Sequence, residues 1–167
     1  MTEPRIIGSL REENGLGIVH LEDVYPTGID DLWSAITDPA RLARWIGTVD
    51  GDLRVGGAFT AKFTSSWEGT GTVDVCEAPH RLVVTTQDED EIPTVIEALL
   101  TTERGGTRLV IEDRGLPLDV YADHGSGWQA HLEDLAASIT GHEPANWKDR
   151  WTELTPAYRA MLPVSRP

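Results

Sequence analysis

Residues 115–141 read GLPLDVYADHGSGWQAHLEDLAASITG, and the second half of this stretch carries a single apolar stripe. Trp128, Leu132, Leu135, Ala136 and Ile139 step by four, three, one and three, the spacing of one face of an α-helix. Gln129, Glu133, Asp134 and Ser138 fall elsewhere on the wheel. Ser126 followed by Gln129 reads as a capping box and Gly141 as a stop, which predicts a helix over 126–140. What precedes it reads mostly as strands. The expectation is a sheet closing around this helix, with either core or pocket between them.

Downstream, the tail 142–167 places Trp147, Trp151, Leu154 and Tyr158 at steps of four, three and four, which predicts another helix, kinked or restarted at Thr155-Pro156. An apolar face of that kind is not left in water. It docks on its own domain, the expectation preferred here, or forms a homodimer contact.

Upstream, Asn14-Gly15 marks a hairpin between 5–10 and 16–24. Ile29, Leu32, Trp33 and Ile36 then step as a short helix, Asp38-Pro39 breaks it, and a second short helix covers 40–45. From Phe59 to Trp67 every second residue is apolar or small, so a half-buried strand is predicted there. Strands over 68–76, 81–87, 93–103 and 107–114 follow, the last two joined across Arg104-Gly105-Gly106. Residues 88–91, all acidic, read as a solvated loop. Consecutive strands with tight turns imply an antiparallel meander.

The 167 residues suit one domain, with 1–15 as a hairpin extension, 16–141 as its core and 142–167 as a helical tail. The net charge of −14 argues against nucleic acid or an anionic lipid surface as partner. Cys76 is the single cysteine, so no intrachain disulfide or multi-cysteine metal site is expected. The charged N-terminus lacks the apolar core of a signal peptide, and no apolar run has the length of a membrane span. The expected location is cytoplasmic, without membrane insertion.

Five phrases in order carry a family resemblance. Residues 24–39, VYPTGIDDLWSAITDP, contain a "VW-x-A-x-T-D-P"-like signature, followed by Leu42-Ala43-Arg44-Trp45. Arg54-Val55-Gly56-Gly57-Ala58-Phe59 supplies an "R-x-G-G-x-F" turn. Residues 68–73 and Pro79-His80-Arg81-Leu82 supply "G-x-V" and "P-x-R-L", and Gly127-Trp128 with Leu132 and Leu135 completes the terminal helix phrase. Over about residues 16–141 the chain resembles the SRPBCC (START-like, Bet v-like) superfamily, in the branch named for the activator of the heat-shock-protein-ninety ATPase. The resemblance implies an α+β helix-grip fold. A curved antiparallel sheet would wrap a long C-terminal helix, with two short helices after the first long strand and a cavity between sheet and helix. The extra segments at the two ends would lengthen the sheet or cover an opening.

Such a cavity suits a hydrophobic or lipid-like small molecule. Its candidate lining is Trp33, Trp45, Phe59, Phe63, Trp67, Trp128 and Leu132, weighed against plain core packing. Trp45 and Trp67 are preferred, because Ala61 and Ser65 beside Trp67 are small. The polar candidates are His131, Tyr121 and Asp113, with Asp113-Arg114 read as a surface ion pair near the mouth. His124 and His131 lack metal-ligand spacing, no HExxH or phosphate loop occurs, and neither metal nor cofactor is expected. Without a catalytic constellation, a carrier or sensor is favoured over an enzyme. A cyclase or hydrolase acting on a hydrophobic substrate is the alternative, and a co-chaperone role rests on the family name alone.

Overall fold

The computed structural model describes residues 4–87 and 93–163. The acidic run at 88–91 lies outside them. Strands β1 (Gly8–Glu13) and β2 (Leu16–Tyr25) form the N-terminal hairpin across Asn14-Gly15, both in the left-handed region at φ 54° and 78°. The first strand thus begins at Gly8 rather than at residue 5. Helix α1 (Ile29–Thr37) buries Leu32, Ala35 and Ile36. Asp38 then accepts from the Ala40 amide at 3.1 Å and caps α2 (Pro39–Leu42), with Pro39 opening the helix where no intrahelical donor is needed. A turn through Ile46 follows, and β3 (Gly47–Gly51) is a strand that the sequence pattern did not single out.

Next come β4 (Ala58–Phe63), β5 (Glu68–Glu77), β6 (Arg81–Gln87), β7 (Thr94–Glu103) and β8 (Gly106–Leu116). The predicted alternation ends at Phe63. Thr64 to Trp67 form the β4–β5 turn, in which Ser66 takes a positive φ of 76°. Among the described residues there is one eight-stranded antiparallel sheet, ordered β1-β2-β8-β7-β6-β5-β4-β3. The meander runs from β3 to β8, and β2 closes beside β8, so chain order alone sets most neighbours.

Helix α3 (Tyr121–Ile139) lies against the sheet and is longer than predicted. Ser126 and Gln129 sit inside it and do not cap it. The Ser126 hydroxyl pairs with Thr155 at 3.0 Å, and the Gln129 carbonyl oxygen accepts from the Ile7 amide at 3.1 Å and the Tyr158 hydroxyl at 2.6 Å. These two polar side chains tie the helix to its neighbours instead of to its own end. Gly141, at φ 77°, does stop it, and the His142 amide returns to the Ala137 carbonyl at 2.8 Å. Val19, Leu21, Leu32, Leu109, Leu132 and Leu135 fill the core between α1, the sheet and the second half of α3. Among the described residues, no helix is long and apolar enough to cross a membrane.

The tail folds as α4 (Trp147–Arg159), continuous through Pro156, with Asn146 capping its start by accepting from Asp149 at 3.1 Å. It packs on α3 of the same chain. Leu154 and Tyr158 are fully buried, and Arg150 and Arg159 pair with Glu133 and Asp123 at 2.6 and 2.9 Å. Glycines make this close approach possible. A Cβ on Gly125 would stand 2.7 Å from the Tyr158 ring, and one on Gly127 would stand 3.3 Å from the Trp147 ring.

Gly125→Ala therefore sets two effects against each other. Alanine favours a helix by about 1 kcal/mol, but overpacking costs about 1–3 kcal/mol, and Tyr158 is pinned by Gln129 and cannot yield. The expected outcome is a net loss of stability and faster proteolysis of α4, read by thermal melting and limited trypsin digestion. An unchanged or raised Tm would contradict this packing.

Candidate functional site

Sheet and helix part company over the first half of α3, and a cavity of about 500 Å3 opens there. The end of β4 supplies Phe63 to it, the β4–β5 turn supplies Ser65, Ser66 and Trp67, and the other strands supply Thr86, Thr94, Ile96, Asp113 and Leu116. Helix α3 presents Asp123, His124, Gly127, Trp128 and His131, and α4 closes the side with Trp147, Lys148 and Trp151. The space between sheet and helix is thus core at Leu132 and Leu135 and cavity at Trp128 and His131.

The aromatic walls contact one another. Phe63 and Trp67 lie 4.9 Å apart between ring centres, His131 and Trp147 5.3 Å, and Trp147 and Trp151 stack at 6.1 Å. Trp147 and Trp151 are held by their indole N–H groups, which donate to the Gly127 and Asp123 carbonyls at 3.3 and 3.0 Å. Both rings line the cavity, Trp147 stacked against Trp151 and tilted against His131.

Among the candidate residues, Phe63, Trp67 and Trp128 stand on the wall, as do Asp113 and His131. Trp45 and Phe59 are buried in the core, Trp45 with its N–H on the Ala35 carbonyl at 2.9 Å and Phe59 over Gly71, where any Cβ would strike its ring. Leu132 is core as well, and Trp33 packs at the core's edge. None of these four reaches the cavity. Tyr121 is placed elsewhere too. It is buried over Gly17, which leaves room for its ring, and lies outside the cavity lining.

Asp113 departs from its expected surface pairing. Strand alternation turns Asp113 inward with Leu109 and Ile111, while Arg114 faces out and pairs with Glu97 and Glu112, each at 3.1 Å. The Trp128 indole donates to Asp113 Oδ2 at 2.9 Å, whereas Oδ1 is buried and without a hydrogen-bond partner among the described residues. Burial drives its carboxyl up to about 6, against weaker opposing pulls from Trp128, His124 and Thr94. His131 shifts the other way. Burial pushes it down to about 4, so it is neutral at pH 7, and its Nδ1 also has no partner among the described residues. Thr86 and Thr94 share a buried hydrogen bond at 2.9 Å on the same wall. His124 and His131 face one cavity, yet among the described residues no three His, Cys, Asp or Glu side chains are grouped to hold a metal.

Sequence reasoning did not assign Trp147, Trp151, Ile96 or the threonine pair to the wall. The four-residue spacing of Trp147 and Trp151 on a helix that must dock somewhere was the available signal.

A curved antiparallel sheet gripping a C-terminal helix, with an aromatic cavity at the helix's first turns, defines a START-like helix-grip domain. The family described as Activator of Hsp90 ATPase homolog 1-like protein matches residues 26–140, and the chain belongs to that family. Among solved structures it is similar to CalU16 from Micromonospora echinospora, with 28% identity, 92% of this chain and 94% of that chain covered, and a TM-score of 0.78. DynU16, from the dynemicin biosynthetic locus, shares the fold at 24% identity and a TM-score of 0.71, over 76% of this chain and 48% of that one. MLL2253 from Mesorhizobium loti does so at 24% identity and a TM-score of 0.67, over 74% and 96%. No curated protein matches the sequence.

Two opposed titrations give the site a pH signature. Asp113, raised from 3.8 to about 6, contributes stability that is present at low pH and lost as pH rises through 6. His131, lowered from 6.5 to about 4, contributes stability that is present above 6.5 and lost as pH falls through 4. Over pH 4–6 the two slopes oppose each other. Asp113→Asn should therefore steepen the loss of stability on acidification relative to the native chain, and His131→Gln should flatten or reverse it. Urea midpoints at several pH values check both signs.

Proposed function

We propose that the chain binds a ring-bearing hydrophobic small molecule in the cavity between the sheet and the first half of α3, acting as a carrier or sensor. The observation that carries this reading is the composition of the wall. Five aromatic side chains (Phe63, Trp67, Trp128, Trp147 and Trp151) surround a 500 Å3 space that also contains two buried polar atoms in need of partners. Cavities of about 300–1,000 Å3 with apolar walls and a few placed polar groups are the usual form of a small-molecule site. A two-ring ligand hiding roughly 200 Å2 of apolar surface gains about 5 kcal/mol at ~25 cal/mol per Å2. That corresponds to a Kd of about 0.1–1 mM before any polar contact is added.

A second reading, a cyclase or hydrolase in the same cavity, is favoured by one observation: Asp113 faces the cavity as a buried carboxyl, and burial pushes it up to about 6. It shares the space with the imidazole of His131, so two groups able to exchange protons face one cavity.

Titration with 2-naphthylmethanol, followed by calorimetry and by the fluorescence of the lining tryptophans, tests the binding reading. One-to-one binding is expected. Ile96→Trp, which places a large ring into the cavity from β7, should abolish it with Tm retained. Absence of binding to the native chain, or equal binding to the filled variant, would refute the site. Chromatography of the probe recovered after long incubation separates carriage from conversion.

A further inference from the structure

The polar half of the cavity narrows the ligand. Asp113 has an exposure of 4% and offers one oxygen, Oδ1, with no donor among the described residues. The neutral donors that act on this carboxyl are the Trp128 indole and, more weakly, the Thr94 hydroxyl. An ionised carboxylate buried with so few donors is costly, and it is relieved by a donor that also carries positive charge. The protein's own cations do not supply one. Arg114, next in sequence, is engaged with Glu97 and Glu112 on the outer face of the sheet. Lys148 lines the cavity from α4, but as an exposed residue at its rim. From α3, His131 is held neutral by burial, and His124 and Asp123 also face the space without bonding to Oδ1. Strands β6 and β7 contribute Thr86, Thr94 and Ile96, none of them charged.

The remaining wall is indole and phenyl. The faces of such rings carry negative charge density and attract cations, tryptophan most strongly. The chain's net charge of −14 favours the approach of a cation over that of an anion.

Resting on the reading of the cavity as a ligand site, we propose that its ligand carries a cationic nitrogen, a protonated amine on an aromatic body, which donates to Asp113 Oδ1 while the Trp67, Trp128, Trp147 and Trp151 rings enclose it. One buried carboxylate thus selects amine over alcohol and over acid, while the aromatic wall accepts any of the three bodies.

Three probes of one shape test this: 2-naphthylmethylamine, 2-naphthylmethanol and 2-naphthoate, titrated calorimetrically at pH 7.5 into the native chain and into Asp113→Asn. The amine should bind at least tenfold more tightly than the alcohol, the acid most weakly, and the amine's advantage should collapse in Asp113→Asn. Equal affinity for amine and alcohol, or an advantage that survives the substitution, overturns the amine proposal and leaves the cavity reading intact. Failure of all three probes to bind overturns both. Should Asp113→Asn not fold, the pH dependence of the native chain decides. The amine's advantage should be full at pH 7.5 and shrink below about 6 as Asp113 takes up a proton. This decline should persist in His124→Gln, which removes the other histidine that faces the cavity. A constant advantage down to pH 5 overturns the proposal.

Discussion

The hydrogen bond from the Trp128 indole to Asp113 spans the gap between helix and sheet at the place where their surfaces separate. Over its second half α3 meets the sheet mainly by apolar contact, with Leu132 and Leu135 pressed into the core. At Trp128 that contact gives way to one polar bond, and the aromatic cavity lies around it. The bond also limits a cost. An inward-facing carboxylate with no donor would lose several kcal/mol of solvation, and the indole N–H, which needs an acceptor when buried, meets part of that need. Loss of either partner would leave the other unpaired in the cavity wall.

Much of the architecture was legible because local chemistry and global fold agree. Asp38-Pro39 caps and opens a helix wherever it follows an amphipathic turn, and Gly141 ends α3 through its left-handed backbone. The meander follows from short strands joined by tight turns; the pairing of β2 with β8 is added by the fold. Asp113 was also legible in principle. It has the parity of Leu109 and Ile111, so period two alone turns it inward. Reading it with its sequence neighbour Arg114 as a pair obscured this, since adjacent residues on a strand point to opposite faces.

Other features depended on contacts far apart in sequence. Gly125 and Gly127 argue against a helix by propensity, and the cost is about 1 kcal/mol each. They are tolerated because Tyr158 and Trp147 occupy the space that side chains there would fill, information held some twenty to thirty residues downstream. Likewise, the sequence pattern does not say which aromatics face a void. Trp45 and Trp67 look alike as apolar residues near short helices and strands. Only the fold places Trp45 against the Ala35 carbonyl and Trp67 in a turn at the cavity's rim.

The tail changes what the family match means for this chain. The matched segment ends at residue 140, yet Trp147, Lys148 and Trp151 form one side of the cavity. The helix that carries them is fixed by Gln129, Ser126, Glu133 and Asp123, all on α3 and all within the matched segment. The gripped helix therefore has two working faces. One, through Leu132 and Leu135, belongs to the common core. The other, polar and glycine-lined, holds α4, and α4 in turn determines how much of the cavity is walled by indole. Changes in α4 that spare Leu154 and Tyr158 can therefore reshape the cavity without disturbing the sheet or its grip on α3.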